Sequence, residues 1–376
     1  MRLFIVFTIC ILCFGSNIQA NQPEYKKVIS FVYDAGETLA FLPVYKKTIR
    51  QKDFQWEIAP LTPWTSRILS KKGIMHLPAP ANLKKMKHIT FRHNKGNINY
   101  WKKMILNKKP HIVMVGMVSV IQKQLIHFCK NIGIKTIGYY DSFDLPRKNA
   151  LIYSFAPLVD ILLVPTYQIA SAIHKYNNKV YAVGQPSVET WLATILQADK
   201  QKIRKLLKIK KNKKVILFAG QYGKNYAKVF TAFIKTISKL NKFVIVLSPH
   251  PKTMGKLEKH IIKTLQVKGI VFNHLSTVKA CSIADLVITW TSTVGIQAAF
   301  TGKQVVYFGL KPGDYNNKLI ADKIAFYTTP STLNSTITKH LDTDSKGRKV
   351  LRQLQKSGYI TDSANKMYLF LKSIQK

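Results

Sequence analysis

Acidic residues are scarce in this chain, and so is arginine. Asp and Glu account for 17 of the 376 residues against 59 Lys and Arg, which gives a formal net charge of +42. Such a field favours anionic partners, including phosphates and acidic membrane surfaces. Only 8 of the basic residues are Arg, the side chain on which bidentate base recognition usually depends. The composition therefore disfavours nucleic acid. It leaves open a general lysine-rich surface or a dedicated polyanion site, such as one for an anionic membrane surface.

Cysteine is scarce as well. Of four cysteines, Cys10 and Cys13 lie in the first 20 residues, so only Cys129 and Cys281 remain in the body of the chain. Two cysteines are too few for a disulfide scaffold. Both lie in apolar, helix-like runs, which favours two buried free thiols over a bridge.

The chain has no long apolar run, and its most notable short one lies near the start. Residues 3–14 form a mostly apolar run that follows Arg2 and leads to polar residues ending at Ala20. This pattern is typical of a secretory signal peptide cleaved after Ala20, and the run is too short for a good membrane-spanning helix. We therefore expect export to the periplasm or secretion. The alternative is an uncleaved anchor with the body in the cytoplasm, because Lys26 and Lys27 outnumber Arg2.

What the chain does contain is a regular alternation of strand-like and helix-like segments. Its length favours two domains over one core, and such alternation gives parallel sheets covered on both faces. We predict an α/β fold of two doubly wound Rossmann-like domains that face a cleft. The predicted boundaries are a leader over 1–20, a first domain over 21–197, a charged linker over 198–214, and a second domain with a helical tail over 215–376.

Polar residues and glycines cluster where the predicted strands end. Ligands of doubly wound sheets bind outside the carboxyl ends of the strands. This rule places in the cleft Asp34, Gly116, Asp141, Gln221, His250, residues 289–292 and Gly309. The sequence has no dinucleotide fingerprint, P-loop, zinc-ligand spacing or serine-hydrolase elbow.

The strongest local pattern lies in the second half. "SPHPK" (248–252) ends one strand, and "TWTSTVGIQAAFTGKQVVYF" (289–308) predicts a strand, a turn, a helix and another strand. The hydroxyl residues of the turn are suited to cap the helix, whose free N–H groups and positive end would face a phosphate. His250 would bond a phosphate or a sugar hydroxyl from the neighbouring strand. The alternative is a plain helix cap beside a structural turn.

This plan resembles the GT-B fold of glycosyltransferases. "HPK", followed by "ADLVITWTSTVGIQAAFTGKQVVYF", is similar to the donor half of that fold in the lipid-A-disaccharide synthase, UDP-GlcNAc 2-epimerase and glycerophosphotransferase-like families. The first half fits through "DAGETLAFLPVYKKTIRQKDFQWEI" and "GIKTIGYYDSFD". The resemblance implies a glycosyltransferase or related group transferase with a nucleotide-activated donor, such as a nucleotide sugar, bound mainly by the second domain. No cofactor and no obligatory metal is expected, because no acidic metal-binding motif is present.

The resemblance also implies a set of donor contacts. They are His250, Thr291, Ser292, Thr293, Gly295, Gln297, Gln221 and Trp290. Gln297 replaces the usual acidic residue of the donor helix, so it keeps hydrogen bonding and loses the charge. Trp290 is either a core residue or a stacking platform, and Lys224 is either a diphosphate contact or a solvated lysine.

Three acids of the first half are candidates for the general base. A transferase must deprotonate an acceptor hydroxyl and stabilise a leaving diphosphate. Asp141 in "YYDSFD" is the first candidate, followed by Glu37 and Asp34 in "DAGE". Each acid has an alternative role as a helix cap or turn residue.

A second class of protein fits the leader better. Exported solute- or sugar-binding proteins also have two doubly wound domains around a cleft, and a transferase-like chain without activity would likewise only bind. Binding proteins usually cross between their domains two or three times. This chain has one main linker, with its C-terminal helices as a candidate return, which favours the transferase plan.

Overall fold

The structure, a computed structural model, consists of two parallel β-sheets with helices on both faces. It describes residues 25–80, 98–146, 150–240, 242–250, 253–315, 317–341 and 346–374. The predicted leader over 1–20 lies outside the described residues. Across the described residues, no helix combines the length and apolar character needed to cross a membrane.

The first sheet has six strands. They are β1 Lys26–Val32, β2 Phe54–Pro60, β3 Ile112–Gly116, β4 Lys135–Tyr139, β5 Ile161–Val164 and β6 Val180–Ala182. The helices of this half are α1 Ala35–Gln51, α2 Pro63–Lys71, α3 Ile98–Lys108, α4 Val120–Asn131, α5 Ile152–Phe155 and α6 Tyr167–Ile173. The spatial order is β2-β1-β3-β4-β5-β6. The chain leaves β1 in one direction and returns as β3 on the other side, so the switch point lies between β1 and β3.

The second sheet also has six strands. They are β7 Lys214–Ala219, β8 Phe243–Ser248, β9 Ile270–Phe272, β10 Leu286–Thr289, β11 Gln304–Phe308 and β12 Phe326–Thr328. The remaining helices are α7 Ser187–Leu196, α8 Lys200–Leu206, α9 Tyr226–Ile237, α10 Lys256–Thr264, α11 Thr277–Ile283, α12 Val294–Phe300, α13 Lys318–Ala321, α14 Leu333–Leu341, α15 Lys346–Lys356 and α16 Ser363–Ser373. The order β12-β11-β10-β7-β8-β9 puts the switch point between β7 and β10.

Each sheet separates two apolar cores. In β1, Ile29 and Phe31 point into one core and Val28 and Val32 into the other. Successive strand side chains point to opposite faces, so a run that is apolar throughout fits only a sheet covered on both sides. The predicted fold of two doubly wound domains is confirmed.

Helices α7 and α16 tie the two halves together. α7 contacts α1 in the first half and both α11 and α12 in the second. The predicted boundaries assign the helical tail to the second domain, yet α16 packs against α1 and buries Met367 and Leu371 in a core of the first sheet. Lys372 of α16 pairs with Asp53 at 3.1 Å. The chain therefore returns to its first domain, because the apolar face of α16 fits there.

The two cysteines of the body are free and buried, as predicted. Burial raises the pKa of Cys129 and of Cys281 to about 12. Thiols of this kind stay protonated and serve as small apolar side chains.

Candidate functional site

The two switch points bring most of the predicted residues to one edge of each sheet. We define the first site as residues 33–37, 116–122 and 140–142, at the ends of β1, β3 and β4. We define the second site as residues 220–222, 248–250 and 290–295, at the ends of β7, β8 and β10. Of the predicted residues, Thr289, Gly309 and Lys224 lie outside these ranges, as does Gln297, which is half-buried and one turn further along α12.

Asp34, Glu37 and Asp141 meet at the first turn of α1. Asp34 is the N-cap of this helix, and its Oδ1 accepts a hydrogen bond from the Glu37 N–H at 3.1 Å. A Cβ added at Gly36 would lie 2.0 Å from Asp141 Oδ2 and 3.3 Å from Asp34 Oδ1. Asp141 can therefore reach this turn only because residue 36 has no side chain.

Glu37 is buried beneath the same turn, with 1% of its surface exposed. Its Oε2 accepts hydrogen bonds from the Tyr33 N–H and from Gln122 Nε2, both at 2.8 Å. Its buried Oε1 has no hydrogen-bond partner among the described residues. An added Cβ at Gly116 would lie 1.6 Å from Oε1, so this carboxyl fills the space that glycine leaves at the end of β3.

The environment raises the pKa of two of these acids. Burial, and then the charges of Asp34 and Asp141, raise the pKa of Glu37 well above its ordinary value. Two N–H donors already occupy Oε2, so a neutral Glu37 carries its proton on Oε1. Burial, and then the charge of Asp34, raise the pKa of Asp141 to about 7. A carboxyl with such a pKa is suited to accept a proton near neutral pH.

The second site is built from hydroxyl and amide groups. Gln221 Nε2 donates to Thr291 Oγ1 at 3.4 Å across the switch point, and the Val294 N–H donates to Ser292 Oγ at 3.3 Å. Thr293 is the N-cap of α12 by position, and its side chain makes no cap bond within the described structure. Ser292 therefore supplies the side-chain cap expected of this turn.

A close approach of backbone explains the glycine in this turn. A Cβ added at Gly295 would lie 2.5 Å from the hydroxyl of Tyr307 on β11. Glycine therefore lets α12 pack directly against the sheet.

His250 and Trp290 have structural contacts as well as cleft positions. The His250 ring lies 4.5 Å from the Tyr222 ring, and its carbonyl accepts the Thr253 N–H at 3.0 Å. His250 is therefore both a turn residue and a half-buried residue of the second site. Trp290 stacks on Tyr226, with 6.3 Å between ring centroids and 17° between planes, at the edge of the core. Lys224 is exposed.

Several residues of the sites escaped the sequence analysis. Gln122 could have been found from the capping-box spacing with Ser119, because both are parts of one box at the start of α4. Tyr226 and Glu258 form a fully buried pair, with the tyrosine hydroxyl donating to Glu258 Oε1 at 2.9 Å. Glu258 precedes the buried Ile261 by three residues on α10, a spacing that places both on one helix face.

The side chains that could ligate a metal ion are those of His, Cys, Asp and Glu. Within the described ranges, no group of three His, Cys, Asp or Glu residues could hold a metal ion. The expectation that no metal or cofactor is required stays a prediction.

The order of the strands and the position of the sites define a GT-B-like fold. No protein-family model matches the chain, and no curated protein matches it significantly. Among solved structures, UDP-GlcNAc 2-epimerase from Neisseria meningitidis bound to UDP-GlcNAc is similar, with a TM-score of 0.70 at 14% identity over 93% of this chain and 99% of that one.

Two further solved structures have the same architecture. A glycosyltransferase from Rickettsia africae has a TM-score of 0.66 at 13% identity over 94% of this chain and 99% of that one. UDP-GlcNAc 2-epimerase from Methanocaldococcus jannaschii has a TM-score of 0.67 at 12% identity, with 92% and 99% covered. The predicted GT-B-like fold is confirmed.

Proposed function

We propose that this protein is a GT-B-type enzyme that acts on a nucleotide-activated sugar, as a glycosyltransferase or a related group transferase. The observation that carries the proposal is the meeting of three carboxyls at the first switch point, where the pKa of Asp141 is raised to about 7. Solved structures of this fold that hold UDP-GlcNAc or UDP support a nucleotide sugar as the substrate class.

In the proposed reaction, Asp141 acts as general base. It accepts the proton of an acceptor hydroxyl while the oxygen attacks the anomeric carbon of the donor. The bond from that carbon to the diphosphate breaks, and the nucleoside diphosphate leaves with the electron pair. Glu37 is a poorer base, because burial raises its pKa and so favours its protonated form, and its free oxygen is buried. Asp34 is committed to capping α1.

The second site is proposed to hold the donor. The Ser292 and Thr291 hydroxyls, the Gln221 amide and the His250 imidazole offer hydrogen-bonding groups to a diphosphate. The positive field of the whole chain adds long-range attraction for an anion. Gln297, in place of an acid, is proposed to bind a donor hydroxyl without adding a negative charge.

A second candidate is epimerisation of a nucleotide sugar. The favouring observation is the match, over nearly the full length of the chain, to structures of UDP-GlcNAc 2-epimerases. A reaction that removes and returns a proton at carbon needs two proton-transfer groups, and Asp141 and Glu37, both at the first turn of α1, are the candidates. The comparisons give no support to an exported binding protein.

The proposal also covers where the protein acts and whether its lysine-rich surface binds membranes. We propose export through residues 1–20, with a lysine-rich surface that attracts anionic membranes. Cell fractionation with N-terminal sequencing tests the first point, because cleavage would leave Asn21 as the new N-terminus. Co-sedimentation with anionic and neutral vesicles at low and high salt tests the second.

The decisive experiment pairs binding with turnover. A thermal-shift screen against UDP, CDP, GDP and free sugars should show stabilisation by a nucleotide, weakened in His250→Ala and Ser292→Ala. Incubation with the matching nucleotide sugar, followed by NMR, then separates transfer, epimerisation and no reaction. Stabilisation by free sugars alone would overturn the enzyme proposal.

A further inference from the structure

The loop that follows β4 physically joins the first site to a core of the second domain. It carries Asp141 in the first site and, two residues later, Phe143, whose side chain is 4% exposed and belongs to a core of the second domain. The ring of Phe143 lies 5.5 Å from that of Phe300 and 6.0 Å from that of Tyr359. The two aromatic partners also contact each other, with centroids 5.6 Å apart and planes at 82°.

Phe300 connects this ring cluster to the second site. It is the last residue of α12, and the same short helix begins next to Ser292 and contains Gly295. A hydrogen-bonded helix in a close-packed interior moves as one body. A ligand that shifts the start of α12 therefore also shifts the contact of Phe300 with Phe143.

The first domain holds Asp141 from the other side. Its carboxyl lies against Gly36, and its carbonyl accepts a hydrogen bond from Gln185 Nε2 at 2.5 Å. Two residues of chain span at most about 7 Å, so the segment from Asp141 to Phe143 has little slack. Movement of Phe143 must therefore displace Asp141 or break these contacts.

We propose that Phe143 is a positioning residue that couples occupation of the second site by a nucleoside diphosphate to the placement of Asp141 in the first site. The identity of the ligand rests on the proposed function, whereas the route of the coupling rests on the ring contacts. Through this packing, Asp141 keeps the position it needs as a base only while the two domains remain packed on each other.

The ionisation of Asp141 reports its placement. The charged group that acts on it is Asp34 at the start of α1, and the charge of Asp141 in turn raises the pKa of Glu37, Tyr139 and Tyr140. Burial is the main cause of the raised pKa of Asp141. Loosening of the loop admits water, which stabilises the carboxylate and lowers that pKa.

The test follows the Asp141 carboxyl carbon by ¹³C NMR as a function of pH, in ligand-free protein labelled at aspartate. In Phe143→Leu the titration midpoint should fall by about 1 pH unit, the usual spread among protein carboxyls. Phe300→Leu reaches the same ring cluster from the second domain and should give the same direction. Phe155→Leu, a buried ring in a first-domain core, is the matched control and should leave the midpoint unchanged.

A second arm adds UDP to the same samples. UDP should move the Asp141 midpoint in the wild type and leave it in place in Phe143→Leu. Unchanged ligand-free midpoints in Phe143→Leu and Phe300→Leu would overturn the link. If UDP does not bind the wild type, the proposed ligand is wrong, and the ligand-free arm still decides whether Phe143 positions Asp141.

Discussion

The two sites occupy equivalent places in two similar sheets, yet their chemistry differs. The first gathers Asp34, Glu37 and Asp141 around one helix turn, whereas the second presents hydroxyls, an amide and an imidazole. The chain has only 17 acids against 59 basic residues, yet three of those acids meet around this one helix turn. Under the proposed function, this difference assigns proton transfer to the first half and anion binding to the second.

Both sites nevertheless share one device, a buried glutamate beside a glycine. Glu37 lies against Gly116 and Glu258 against Gly220, where added Cβ atoms would be 1.6 Å and 2.9 Å from the respective carboxyl oxygens. The Glu37 carboxyl therefore leaves much less room for a side chain at its glycine than the Glu258 carboxyl does. The acidic site is therefore also the more tightly constrained of the two.

The largest expected effect comes from removing the proposed base. Asp141→Asn should reduce turnover by about 10²–10⁴-fold, the usual contribution of a general base. In the wild type, kcat/KM should rise as pH increases through about 7, because only the ionised carboxylate accepts a proton. The variant should lose this rise while still binding UDP, as measured by pH-dependent kinetics and calorimetry. If Asp141→Asn lost UDP affinity by the same factor as turnover, Asp141 would be a ligand-binding residue and not the base.

Next in size is the pH dependence that Glu37 imposes on stability. Above its ordinary value of 4.5, Glu37 is ionised in the unfolded chain but stays protonated in the folded protein, whose pKa for this group is raised. The folded state then binds more protons, so wild-type stability falls as pH rises. The unfolding free energy of Glu37→Gln, relative to that of the wild type, should therefore increase by up to about 1.4 kcal/mol per pH unit. Urea unfolding from about pH 5 to about pH 7 tests this, and a pH-independent difference would contradict it.

A pair of glycine substitutions tests the difference in packing. Gly116→Ala forces a methyl group against the Glu37 carboxyl and should lower the unfolding free energy by about 1–3 kcal/mol. Gly220→Ala meets its nearest atoms at 2.9 Å and 3.0 Å, so the cost should be smaller. Urea unfolding of the two variants gives the comparison directly. Equal losses would show that the two sites are equally constrained.

The smallest effect concerns the aromatic contact at the second site. Tyr222→Ala removes the ring beside His250 and should weaken UDP binding by about threefold to tenfold, as expected for one lost aromatic contact. Tyr222→Phe keeps the ring and should bind as the wild type does. Calorimetry on both variants decides the point. Weakening in Tyr222→Phe would shift the role to the hydroxyl.

The sequence predicts the fold well because its signals are local. Runs such as Val244 to Leu247 are apolar throughout, which suits a strand covered on both faces, and the glycines and prolines around them fix where such strands end. The return of α16 depends on which apolar face it meets, and periodicity does not reveal that.

The site is predictable in position and less so in chemistry. The sequence puts Asp34, Asp141, Gln221 and His250 just after β1, β4, β7 and β8, and the structure has them there. Which acid stays neutral depends on burial and on contacts between distant segments, such as Gln122 with Glu37 across 85 positions. Such contacts leave no periodic trace in the chain.

The docking of α16 on the first sheet has a consequence for synthesis. Met367 and Leu371 complete a core that also contains residues made much earlier, such as Val28 in β1. Until residues 363–373 leave the ribosome, the first domain exposes the apolar surface that this helix covers. The half that is made first is thus finished last, and it waits on the ribosome as a partly open sheet that is exposed to misassociation.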